Sequence, residues 1–168
     1  DEIIADRYIL CTGSYLGNHV SMPILPLAGT VSEYSDENYE DKFQELAICS
    51  HKEIPLFWAK YKNKDNQTRI RLGGGVEIMS TPDAPKELII PEIEAIKEIP
   101  IVSNICVRPM TPDGLPVIGK VPYLTNGYVV GGMGFWGWTL GFGSGYLLGE
   151  QLQGKKNIPS VFLPDRFI

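Results

Sequence analysis

Residues Gly131–Gly149 read GGMGFWGWTLGFGSGYLLG, and the reading of this run decides the fold. A short apolar segment, Tyr128-Val129-Val130, precedes it and has the length and glycine boundaries of a buried strand. Tyr146-Leu147-Leu148 near its end form the middle of a helix that should stop near Gly154. The centrepiece is therefore strand, glycine-rich turn, helix. Glycines in such a turn allow positive φ and close approach of the backbone to a ligand. The unsatisfied N–H groups of the helix's first turn favour negative charge there. The stretch reads as a site for an anionic or polarisable cofactor group.

Three other readings compete. Gly132, Gly134 and Gly137 spell G-x-G-x-x-G after a strand, the dinucleotide-binding fingerprint. That motif needs a second strand after the helix and an acidic residue about 20 positions on. Here the nearest carboxylate is Glu150, inside the helix itself, so this reading is set aside. The second is a membrane span, since no charge falls between Lys120 and Glu150. Gly137, Gly141, Gly145 and Gly149 even repeat at the spacing of packed membrane helices. The glycines, Pro122 and Thr125-Asn126 leave no run of about 20 apolar helix formers. The repeat is instead expected to let the helix lie close against a sheet. The third reading is a tight core turn, which stays open for the second half of the run.

The whole chain sets broad bounds. Its 168 residues suffice for a sizeable core, with 43% hydrophobic residues and a formal charge of −5. No basic patch points to nucleic acid. The three cysteines, Cys11, Cys49 and Cys106, lack C-x-x-C spacing, which argues against a disulfide scaffold or zinc site. The two histidines, His19 and His51, lie apart from other catalytic candidates, so a His-centred triad or metal cluster is not expected. No signal or transit segment is recognisable, and a first residue Asp suggests a processed chain or an excerpt of a longer one.

Outward from the centre, strands dominate. Tyr8–Cys11 is a strand ended by Thr12-Gly13; in a parallel sheet its partners would lie outside this sequence. Pro23–Pro26 reads as a rigid turn and Leu27–Tyr34 as a strand. Ser35–Lys42 is a solvated loop. Leu46–Cys49 and Leu56–Tyr61 are strands, the second pairing with Thr68–Gly73 across the polar turn Lys62–Gln67. Alternation places Arg69 and Arg71 on one face of that strand and Ile70 and Leu72 on the other. Ser80–Pro85 is loop. Leu88, Ile89, Ile93, Ile96 and Ile99 recur at helical spacing, and Pro91 sets the helix start. Ile101–Val107 is a strand delivering Arg108. Thr111-Pro112-Asp113-Gly114 has type I turn chemistry. Gly114–Lys120 imitates a phosphate loop, but Val121 replaces the Ser or Thr that holds magnesium, and it is discarded. The class is α+β.

The run CVRPMTPDGLPVIG, then GGMGFWGWTLGFGSGYLLGEQLQG and a closing FLPDRF, resembles the C-terminal part of the D-amino-acid oxidase-like flavoenzymes. D-amino-acid dehydrogenases, glycine oxidases and sarcosine oxidases are of this kind. ADRYILCTGSYL is similar to the strand and turn by which that family returns to its FAD domain, and TRIRLGGG to a following hairpin strand. The family's own G-x-G-x-x-G, near the start of the full protein, has no match here. The resemblance thus implies a C-terminal half, whose partner is the missing N-terminal FAD-binding half. Residues 1–22 would be the returning strand and turn of a split FAD domain. Residues 23–107 would be a mixed, largely antiparallel substrate-domain sheet with a helix. Residues 108–168 would carry the flavin-contacting turn and helix.

The implied chemistry is oxidation of an amine or D-amino acid by hydride transfer to FAD, giving an imine that hydrolyses to an oxo acid. By the match, Gly132, Met133, Gly134, Phe135 and Trp136 form the flavin turn. Gly137-Trp138-Thr139 would open the helix, with Thr139 bonding the flavin pyrimidine; as a rival, spacing alone makes Thr139 an N-cap of its own helix. Thr12 and Gly13 would line the other side. Met133 replaces a His that many relatives carry. Arg108 would grip a substrate carboxylate with two-point geometry, against the rival reading of a structural ion pair. Phe135 and Trp136 stand where relatives often add a second cation, which favours a substrate with an apolar side chain. One ring among Phe57, Trp58 and Tyr61 would line the pocket, core packing being the alternative for each. Cys106 matches the cysteine that tethers flavin in sarcosine oxidases, the rival being a buried, inert thiol. The alternative to an enzyme is a non-catalytic remnant that keeps the fold without FAD.

Overall fold

In the computed structural model, strand β1 (Tyr8–Leu10) leads into a 3-10 turn (Gly13–Tyr15) and a short helix, α1 (Leu16–His19). Strands β2 (Leu25–Ser35), β3 (Leu46–His51), β4 (Ile54–Lys62) and β5 (Thr68–Ile78) follow. After them come β6 (Val102–Met110), β7 (Val117–Lys120), β8 (Gly127–Gly131) and the helix α2 (Gly137–Leu152). The structure describes residues 3–35, 46–51, 54–85 and 100–168. The expected helix from Pro91 and the loop at 36–42 lie outside them. The chain divides into two units. One comprises Asp1–Leu27, Met79–Pro82 and Arg108–Ile168; the other comprises Ala28–Ile78 and Asp83–Val107.

The first unit is built on a three-stranded sheet in the order β1-β8-β7. β1 runs parallel to β8, with Tyr8 opposite Gly127 and Leu10 opposite Val129. The first strand therefore has a partner within this chain, contrary to the sequence expectation, although Tyr8 and Ile9 stay half exposed. β7 and β8 pair antiparallel from Val117–Gly131 to Lys120–Tyr128. Alternation gives the sheet two apolar faces. Val117 and Val129 pack with Leu16, Val20, Met22, Ile24 and Val121 on one side. Ile118 packs with Leu148 of α2 and with Ile158, flanked by Tyr128 and Val130, on the other. Each side chain buried this completely contributes about 1.5–3 kcal/mol.

α2 ends as its sequence predicts. Gly154 takes φ 70°. Its N–H donates to the Gln151 carbonyl at 2.9 Å, and that of Lys155 to the Glu150 carbonyl at 2.9 Å. This pair of bonds is the Schellman arrangement that glycine permits just past a helix. The C-terminal FLPDRF motif then folds back onto the turn at 111–114. Arg166 Nε donates to Asp113 Oδ2 at 2.7 Å and Nη2 to the Leu115 carbonyl at 2.8 Å. The turn is closed by the Gly114 N–H on the Thr111 carbonyl at 3.1 Å. The Arg166 guanidinium, chiefly, holds the Asp113 carboxyl down at about 2. The folded carboxyl is thus a stronger acid than the unfolded one, so the pair stabilises the fold above pH 3.8, Asp113's ordinary value, and that contribution is lost as pH falls to about 2. The pair is partly exposed, so its worth is about 1 kcal/mol or less. Between pH 4 and 2 the melting temperature of Asp113→Asn should fall less steeply than that of the wild type. Parallel melting curves would exclude the pair as a source of acid sensitivity.

The second unit contains most of a five-stranded sheet in the order β3-β4-β5-β2-β6. β4 and β5 form the expected hairpin, with Tyr61 opposite Arg69 and Lys62 opposite Thr68. Its turn is held by Asn63, whose Oδ1 accepts the N–H groups of Asp65 and Gln67 at 3.0 and 2.9 Å. Ile70 and Leu72 are buried while Arg71 is exposed, as the alternation predicts. Arg71 pairs with Glu33 of β2, donating from Nε at 3.0 Å, and lies 5.0 Å from the Tyr61 ring centre. Phe57 covers Gly73 directly opposite it, and a Cβ on Gly73 would fall inside the Phe57 ring. Of the expected turn at Pro23–Pro26, Leu25 and Pro26 instead open strand β2, while Pro23 and Ile24 precede it. β6 extends through Arg108 to Met110, and its edge position lets Pro109 lie in a strand without losing a ladder bond.

Candidate active site

The parallel pair β1 and β8 brings two turns to one end of the first sheet, because both strands point the same way. Ligands bind at this carboxyl end in open sheets of parallel strands. One turn holds Thr12 and Gly13, with Gly13 at φ 59° and an exposed Thr12. The other is Gly131–Trp136. Partial desolvation pushes the Cys11 thiol up, against a smaller lowering by the Val130 backbone, although the residue itself is exposed.

The glycine run splits into two halves of different physics. In the first half, Gly132 and Gly134 take φ of 70° and 52°. A Cβ on Gly131 would lie 2.8 Å from Leu16 Cδ2, on Gly132 2.6 Å from Thr111 Cγ2, and on Gly134 2.9 Å from Met110 Cε. Met110 and Met133 also form an isolated antiparallel bridge. This half is a tightly packed turn, the reading the sequence left open for the other half. In the second half, no atom lies within 4 Å of a Cβ built on Gly137, Gly141, Gly145 or Gly149. The expectation that this repeat beds the helix on a sheet is therefore overturned. α2 packs through Ser144 and Leu148 instead, which leaves the glycine face open.

No side chain caps the start of α2 and no acidic residue lies in its first turn. Thr139 is exposed and is the third helical residue, so the N-cap alternative for its hydroxyl fails; Trp136 occupies the cap position. The first-turn N–H groups, with no capping side chain, favour an anionic or polarisable group. An open groove of about 880 Å³ runs from there along α2, lined by Arg108, Gly134, Phe135, Trp138, Phe142 and Tyr146 among others. Arg108 enters from β6, its guanidinium carbon 4.9 Å from the Phe135 ring centre. At that distance the guanidinium and the ring attract each other as cation and π-system.

The structure thus brings together Arg108, Gly134, Phe135, Gly137 and Trp138 of the sequence-predicted residues. Gly132 and Met133 belong to the same turn but do not line the groove. Cys106 is exposed on β6 rather than buried, lies in the second unit, and does not line the groove. Phe57, Trp58 and Tyr61 belong to the second unit as well. Sequence reasoning missed Phe142 and Tyr146 as groove residues. Their spacing of four from Trp138 was the available signal, obscured because Tyr146 also fits an apolar helix core. Among the described residues no cluster of His, Cys, Asp and Glu could hold a metal, and no helix is long and apolar enough to cross a membrane.

Comparison with known proteins agrees with this geometry. Glycine oxidase from Geobacillus kaustophilus superposes with a TM-score of 0.73 at 18% identity, over 98% of this chain and 46% of its own. Iminodiacetate oxidase from Chelativorans sp. BNC1 gives 0.71 at 17% identity, over 96% of this chain and 47% of its own. Fructosamine oxidase from Aspergillus fumigatus gives 0.66 at 16% identity, over 95% and 42%. The chain therefore spans less than half the length of these enzymes. The family model for FAD dependent oxidoreductases of the DAO type matches residues 1–151. With nine-tenths of its length inside that match, and a strand, glycine turn and uncapped helix at its centre, the chain belongs to the DAO family of FAD-dependent oxidoreductases.

Proposed function

We propose that this chain is the C-terminal portion of an enzyme that oxidises a carboxylate-bearing amine or amino acid. FAD, when bound, accepts the hydride from the carbon that carries the amino group. The observation that carries the reading is Arg108, held over Phe135 where the groove opens onto the uncapped start of α2. Arg108 grips the substrate carboxylate through two parallel N–H donors and so orients the amine-bearing carbon. The first-turn N–H groups of α2 and the Thr139 hydroxyl would be the donors to the pyrimidine end of a bound flavin. Preorganised donors of this kind stabilise charge where it develops. Thr12 and Gly13 would hold the cofactor from the turn after β1. Phe135 and Trp136, half to mostly exposed, give the substrate side chain an apolar wall.

These residues suit the ring end of the cofactor, while the family's N-terminal G-x-G-x-x-G, which would hold the pyrophosphate, has no match in this sequence. The first unit is read as part of the split FAD domain and the second as substrate domain. The chain alone should therefore hold FAD only weakly. Titration followed by quenching of flavin fluorescence should show no stoichiometric endpoint. A tight one-to-one endpoint with this chain by itself would overturn the partial-site reading.

A further inference from the structure

We propose that Arg166, which lies outside the groove, is a positioning residue for the oxidation. It fixes the turn at 111–115, and through that turn the spacing between Arg108 and the glycine turn at 132–134. The inference rests on the roles given to those two elements under Proposed function and adds the residue that keeps them in register. Arg166 belongs to the last 3-10 segment, Pro164–Phe167, and does not line the groove. Its guanidinium makes a fork onto the turn. Nε donates to Asp113 Oδ2 at 2.7 Å, and Nη2 donates to Asp113 Oδ1 at 3.3 Å and to the Leu115 carbonyl at 2.8 Å. The same Leu115 carbonyl accepts the Thr111 hydroxyl at 2.6 Å, so one oxygen ties Arg166 to Thr111.

Thr111 is 1% exposed, and its methyl group fills the space beside Gly132, 2.6 Å from where a Cβ would stand. One residue earlier, Met110 bridges Met133 and covers Gly134. Arg108 precedes Met110 on the same strand, and a strand rises only about 3.3 Å per residue. A shift of the turn is therefore passed at short range both to Arg108 and to the glycine turn. A clamp holds position only where its own base is fixed, and here the base is seated on β7. Leu163 and Pro164 stand 3.0 and 3.4 Å from where a Cβ on Gly119 would lie, and Pro164 is buried. Nη1 of Arg166 also donates to the Leu163 carbonyl at 3.2 Å, and the guanidinium carbon lies 4.2 Å from the Phe167 ring centre. The Arg166 side chain is 15% exposed and that of Asp113 37%. A partly exposed ion pair contributes little to overall stability, so the fold should outlast its removal.

The test begins with Arg166→Met, which keeps an unbranched stem and removes every donor. In hydrogen–deuterium exchange of this chain, residues 110–115 and 131–136 should exchange about five- to tenfold faster, while 144–152 of α2 should be unchanged. In the assembled, FAD-loaded enzyme, kcat for an amino acid should fall about tenfold with KM within about twofold of wild type. Arg108 still grips the carboxylate there, but it presents the amine-bearing carbon out of line. Plain amines, which are not anchored at Arg108, should lose less than about threefold. Arg166→Lys keeps a cation beside Asp113 and loses the planar fork, so it should hold the melting temperature near wild type while kcat stays lowered. Should the methionine variant fail to fold, the lysine variant carries both measurements. Unchanged exchange at 131–136 overturns the proposal. Faster exchange spread through α2, or a loss of activity that only tracks flavin content, also overturns it and makes Arg166 a stability clamp. Faster exchange confined to the two turns, with equal losses for amino acids and plain amines, leaves the positioning role standing and sinks the carboxylate reading of Arg108.

Discussion

Replacing Arg108 by lysine in the assembled, FAD-loaded enzyme is expected to lower kcat/KM for amino-acid substrates about ten- to a hundredfold. Lysine keeps the charge but loses the planar fork, and hence one of two charge-assisted hydrogen bonds to the carboxylate. Such bonds are worth about 1.5–3 kcal/mol each, and about 1.4 kcal/mol is a factor of ten in rate. Lysine also changes the cation–π contact with Phe135, now 4.9 Å from the guanidinium carbon to the ring centre. Arg108→Ala should cost more again. Amines without a carboxylate should lose little in either variant, because the missing contact is one they never make. FAD content and melting temperature should remain near wild type. Equal losses for amino acids and plain amines, or a variant that unfolds, would show Arg108 to be a structural residue.

The largest stability effect is expected at Gly132. Its φ of 70° strains any residue with a Cβ, at about 1–2 kcal/mol. The new Cβ would also stand 2.6 Å from Thr111 Cγ2. Thr111 cannot retreat, since it is buried and its hydroxyl donates to the Leu115 carbonyl at 2.6 Å. Overpacking of this kind costs about 1–3 kcal/mol. Gly132→Ala should therefore destabilise the fold by about 2–5 kcal/mol, a fall in melting temperature of about 4–20 °C for a chain this long. Gly141→Ala makes the opposite case within the same run. Open space and a helix interior should make it stabilising by about 0.5–1 kcal/mol. Urea unfolding of the two variants measures both. A Gly132→Ala chain as stable as wild type would refute the packed-turn description.

The contrast between those two glycines marks the boundary between what was legible in the sequence and what was not. Strand, turn and helix at 128–154, the hairpin joining β4 and β5 and the turn at Thr111–Gly114 could all be read directly. Each depends on chemistry within a few residues: glycine at positive φ, alternation along a strand, proline second in a type I turn. The family too was legible, because its motifs are short and contiguous. Tertiary structure alone decided which glycines are packed and which are open. The sequence shows the repeat at 137, 141, 145 and 149, but the face it presents depends on where Ser144 and Leu148 find their partners. It likewise decided that β1 pairs with β8, a contact between the two ends of the chain that no local pattern encodes. The nearness of the turns after β1 and β8 follows from that pairing, since they lie far apart in sequence and their strands run parallel side by side. Backbone freedom is a property of the residue, whereas the space around a missing side chain belongs to its distant neighbours.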